Sequence, residues 1–79
     1  MNEILNAKRA VYREQFNNIC ADFSIYRLKH NVDENFISVE KQIWECREKA
    51  PHMTYEDIEQ FESCLVMAQA YLARKEIFE

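Results

Sequence analysis

The sequence predicts an all-α chain, an antiparallel three-helix bundle, and three observations carry that prediction. Glycine is absent from the 79 residues and proline occurs once, whereas the hairpins and bulges of all-β folds consume glycine. Apolar residues recur at alternating steps of three and four, the period of a helix face rather than the alternation of a strand. Each periodic segment also starts acidic and ends basic. That polarity complements the helix macrodipole, each charge contributing about 0.3–1 kcal/mol.

The first helix is predicted at about 3–29. Leu5, Tyr12, Phe16, Ile19, Phe23 and Tyr26 form its stripe, which Arg9 interrupts near the start, and the segment passes from Glu3 to Arg27 and Lys29. The breaker His30-Asn31-Val32-Asp33 follows. Asn31 or Asp33 is placed to cap the next helix by accepting a bond from a free amide of its first turn. The second helix covers about 34–49 on Phe36, Val39, Ile43 and Cys46. Pro51 stops it, because the residue before a proline avoids the helical region. The third covers about 55–77, with Thr54 as N-cap, Asp57 three residues later in a box-like arrangement, and Ile58, Phe61, Leu65, Ala68 and Leu72 as its stripe. Short connections make consecutive helices antiparallel. Without a repeat, a low-complexity tract or a long linker, residues 1–79 read as a single helical domain.

Composition narrows the function classes. Hydrophobic residues at 48% and charged residues at 30% describe a soluble globular chain, too apolar for disorder. The net charge of −4 argues against general nucleic-acid affinity by phosphate neutralisation, and the missing glycine against phosphate-cradling loops. Residues 1–30 mix acids and bases without a continuous apolar segment, so no secretory leader is expected. The longest nearly apolar stretch, Cys64 to Ala73, is ten residues, about half of the roughly 20 that span a bilayer. Three cysteines, Cys20, Cys46 and Cys64, without paired spacing point to a reduced, cytoplasmic protein rather than disulfides or zinc.

The third helix is too apolar for its length. Beside its main stripe it carries Cys64, Met67, Tyr71 and Phe78 on one line and Val66, Ala70, Ala73 and Ile77 on another, and between Cys64 and Ala73 only Gln69 breaks the run. A helix in a three-helix bundle touches two neighbours, whereas one apolar on every side is normally buried on every side. One reading seats it deep between the other two helices, with alanines outward. The favoured reading turns its outer face to another chain, most simply a second copy. Cys64, Met67, Tyr71 and Phe78 are the expected self-association residues. On the second helix, Ile37 and Trp44 lie seven residues apart beside the main stripe. With Arg47 they form the expected anchor for a heterologous partner, since Trp, Tyr and Arg dominate interface hot spots.

Chemistry is weakly encoded. His30 and His52 fall in turns at opposite ends of the predicted bundle, no Glu-x-x-His pair is present, and neither metal nor cofactor is expected. The cysteines sit mid-helix among apolar neighbours, far from the helix amino ends that lower a thiol pKa. No acid falls on a predicted seam, where desolvation could raise its pKa, so catalysis is not expected. The acidic tract offers one alternative: residues 31–62 hold nine acids and three bases, and Glu56, Asp57, Glu59 and Glu62 could mimic DNA phosphates in a basic groove. The competing account has these acids stabilise the third helix's amino end, balanced by Lys8, Arg9 and Arg13. Membrane binding by the first helix is disfavoured, because Glu3, Glu14 and Asp22 dilute its basic side. The expectation is therefore a small helical protein–protein interaction module, self-associating and non-enzymatic. It would act as a regulator, adaptor or inhibitor of a larger complex, of the compact kind that phages and mobile elements encode.

Overall fold

Helical periodicity becomes helix almost everywhere it occurs. The computed structural model describes residues 3–78, Phe78 by its backbone alone. Helix α1 spans Glu3–Lys29, α2 Glu34–Lys49 and α3 Ile58–Phe78. Single 3-10 turns occupy Ala50–His52 and Tyr55–Asp57, and there is no strand among the described residues. The helices pack on one another as a three-helix bundle running up, down and up, so α1 and α3 are parallel and α2 opposes both.

Each end has a local cause. Asp33, not Asn31, caps α2, its carboxylate accepting the Phe36 amide at 2.9 Å. Before α3 the Asp57 carboxylate accepts the Thr54 amide at 2.9 Å and the Thr54 hydroxyl at 3.1 Å, while the Asp57 amide donates to the Thr54 carbonyl at 3.1 Å. That last bond closes over three residues, so the expected first turn at 55–57 is 3-10 and the α-helix proper begins at Ile58. The α2–α3 connection is pinned inward by Ala50 and Met53, both fully buried. Arg9 accounts for its place in the α1 stripe here: its Nε donates to the Met53 carbonyl at 2.7 Å, satisfying an acceptor that the turn leaves open.

The core is aromatic along its whole length. Phe61 meets Tyr12 and Phe16 edge-on, with ring centroids 5.9 and 5.6 Å apart. Toward the other end Phe36 lies 5.0 Å from Phe23 and 5.4 Å from Tyr26, and Tyr71 stacks at 6.3 Å on Phe23. Both clusters draw on more than one helix, and Phe16, Phe23, Phe36 and Phe61 are excluded from solvent.

One acid contradicts the expectation that none lies on a seam. Glu40 is 6% exposed between α2 and α1, where Arg27 reaches it at 3.0 Å. Four residues after Phe36 and three before Ile43, it falls on the edge of the buried arc that faces α1. Burying a carboxylate is costly without a partner, and Arg27, about half exposed, supplies one from the solvent side.

Replacing Arg27 by Ala is therefore expected to lower stability in urea unfolding by about 1–2 kcal/mol, between the values for surface and buried pairs. The double change Arg27→Ala with Glu40→Leu should recover most of that loss. A double variant no more stable than Arg27→Ala would show that the ion pair is not what the seam requires.

Candidate functional site

With two neighbours to touch, α3 buries a wider arc than its single stripe. Phe61, Leu65, Ala68 and Leu72 are buried, and so is Cys64 on the flank facing α2. Of the four expected self-association residues, two do not lie on the open side of α3. Cys64 is interior, and Tyr71 packs half-buried against Phe23 and Phe36. The Tyr71 hydroxyl is buried and has no hydrogen-bond partner among the described residues, while Lys75 sits 5.6 Å from its ring centroid. Met67, at the rim of the α2–α3 groove, is partly exposed, and the side chain of Phe78 lies outside the described residues.

The outward line is the third one. Val66 is 65% and Ile77 74% exposed, with the exposed Ala70 and Ala73 between them. Val66 also borders an open groove of about 430 Å³ between α1 and α3, whose apolar walls include Ala7, Val11 and Leu65. Apolar surface on α3 thus exceeds what α1 and α2 cover.

A second apolar edge lies where α1 meets α2. Trp44 is 37% exposed, and the Arg47 guanidinium lies over its ring at 4.7 Å from the centroid. Arg47 Nε also donates to Asn17 Oδ1 on α1. These contacts hold the indole beside a shallow depression lined by Asn17, Cys20, Ala21, Ser24, Trp44 and Arg47. Ile37, two turns earlier on the same helix side, is exposed. The structure therefore brings Trp44 and Arg47 together and leaves Ile37 in line with them.

The acidic residues divide. Glu56 and Glu59 are exposed, but Asp57 caps its own turn and takes Lys49 Nζ at 3.1 Å. Glu62 accepts the Tyr12 hydroxyl at 2.8 Å. Backbone and Lys49 hydrogen bonds hold the Asp57 carboxyl below its usual range. Burial, reinforced by the Glu62 carboxylate, pushes the Tyr12 phenol up to about 12.

The three thiols converge, one per helix, and all are buried. Burial raises Cys20 to about 11 and Cys46 to about 12, the latter also through its hydrogen bond with Cys64. They are protonated at neutral pH and so poor nucleophiles. No group of three or more His, Cys, Asp or Glu among the described residues is placed to hold a metal ion. No described helix is long and apolar enough to cross a membrane. None of the family models, curated proteins or solved structures compared with the chain matches it.

Two titrations check these assignments. Tyr12 keeps its proton in the folded state above the ordinary value of 10.0, so its contribution to stability is complete below pH 10 and is lost as pH rises toward about 12. Tyr12→Phe should flatten that alkaline loss in unfolding midpoints measured against pH. Asp57 behaves oppositely, its folded value being depressed: its stabilisation is complete above the ordinary 3.8 and disappears as pH falls below it. Asp57→Asn should therefore differ from the parent at pH 7 and converge with it in acid.

Proposed function

We propose that the chain acts by binding rather than by chemistry, as a small self-associating module that regulates, bridges or inhibits a larger macromolecular complex in the cytoplasm. The observation that carries this reading is the apolar surface left open on a very small bundle. Val66 and Ile77 stand out from α3, and Trp44 and Ile37 line the α1–α2 edge. The accessible surface is 5663 Å², against about 5,100 Å² for a compact monomer of this mass. A chain this short has a thin margin of stability, and covering such faces would widen it.

Trp44, Ile37 and Arg47 supply the features of a heterologous anchor. An indole already held by a guanidinium loses little side-chain freedom on docking, and the depression beside it gives a partner's side chain somewhere to sit. Three buried cysteines that form no disulfide support the cytoplasmic placement.

The test is capture from extracts of the source cells with immobilised chain, parent and Trp44→Ala side by side. A discrete partner should be retained by the parent at both low and moderate salt, because an apolar contact responds weakly to ionic strength. The variant should bind it about 30-fold or more weakly, the effect of losing a hot-spot Trp, with circular dichroism unchanged. Retention of the same partner by both chains would overturn the assignment of the Trp44 edge. Release by moderate salt, together with loss of binding in the charge reversal of Glu56 and Glu59, would favour an electrostatic decoy instead.

A further inference from the structure

We infer that the outward face of α3 is a seam for a second copy of this chain, packed antiparallel about a two-fold axis between Tyr71 and Leu72. This deepens the reading of the chain as self-associating and rests on it. Val66, Ala70, Ala73 and Ile77 are all exposed and follow one another by steps of four, three and four. That is the spacing of a coiled-coil seam, and it reads the same in both directions. Val66 and Ile77 lie equally far from the midpoint of the line, as do Ala70 and Ala73. An antiparallel second copy therefore sets its Ile77 against Val66 and its Ala73 against Ala70, twice over by symmetry, as an isologous contact requires.

The shape of the surface suits that pairing. Alanines at the centre let the helix axes approach toward the short end of the 8–10 Å range, about 8 Å. The large side chains fall at the ends, where each Ile77, 74% exposed, meets the groove bounded by Val66, Val11 and Ala7 of the other copy. The seam alone covers eleven residue steps, about 16 Å. The apolar walls on α1, with the exposed Ile4 one turn before Ala7, extend the contact toward the roughly 800 Å² per partner of a stable interface.

Charge selects the orientation. In a parallel pair equal residues on the seam face each other, so Glu59, seven residues before Val66 and in line with the seam, would meet its own copy. Directly opposed like charges cost affinity. The antiparallel pair separates the two Glu59 carboxylates. It places Glu76 beside the other copy's Gln69 and Arg74 beside its Met67, so neither meets a like charge, and it sets the two α3 dipoles antiparallel, the favourable arrangement.

The register is tested by disulfide trapping of full-length Val66→Cys and Ile77→Cys variants, the native thiols being buried. Oxidation of the mixture with a low-molecular-weight disulfide should yield covalent dimer, and either variant alone should yield little. Dimer from Val66→Cys alone at equal or greater yield would overturn the antiparallel register while leaving self-association standing. Sedimentation of the parent over a concentration series should show reversible dimer, and Ala70→Glu should weaken it about 100-fold or more by burying an unpaired charge, with Ala73→Gln as a milder second variant and helix content unchanged in both. A dimer indifferent to both changes would overturn the seam. The mass of a 9.6 kDa monomer at every concentration would overturn both this inference and self-association, while binding of a partner at the Trp44 edge would be unaffected.

Discussion

The bundle depends on aromatic rings that join its three helices through one continuous core. Phe16 and Phe61 join α1 to α3 at one end, and Phe23, Phe36 and Tyr71 join all three helices nearer the other. With radius of gyration 13.3 Å and a long dimension of 46 Å, the molecule is a slender rod. Four of its rings, Phe16, Phe23, Phe36 and Phe61, are among its largest fully buried side chains, so truncating any of them would leave a cavity. Edge-to-face and offset contacts of this kind add about 0.5–1.5 kcal/mol per pair beyond the area they bury. The polar devices, namely the Asp33 cap, the Thr54–Asp57 turn and the Arg9 bond to Met53, then decide where each helix begins and how the connections lie against that core.

Much of this was legible in the sequence because the physics is local. Helix bounds followed from periodicity, from the single proline and from side chains able to cap, and the bounds of α1 and α2 agree with those expected. What periodicity could not supply is azimuth, meaning how far round each helix its neighbours reach. Cys64 and Tyr71 lie on the flank toward α2 rather than on the open side. Only the packing of three cylinders tells a second buried line from an exposed third one.

The acids show the same limit. Glu40 sits one residue past Val39, and a reading that follows the apolar residues alone passes over it, although its offsets from Phe36 and Ile43 mark the α1-facing edge of α2. The Tyr12–Glu62 bond joins positions 50 apart in the chain, and no local pattern announces it. By contrast, the excess of apolar surface on α3 was visible as a simple count, because a run from Cys64 to Ala73 with one polar residue exceeds what two neighbours can cover. The Trp44–Arg47 pairing was half legible: three residues apart on one helix, they were bound to be neighbours, but Asn17 as the third member came from α1.

The placement of one thiol on each helix has a consequence for how the molecule can be observed. Cys20, Cys46 and Cys64 are buried beneath the grooves between helices, Cys20 between α1 and α2 and the other two between α2 and α3, so a soluble alkylating reagent reaches each faster when its helix pair opens. Cys20 therefore serves as a built-in clock for the α1–α2 contact, and Cys46 with Cys64 for the α2–α3 contact. Comparing their modification rates would separate opening of either helix contact from cooperative unfolding of the whole rod, without any label being introduced.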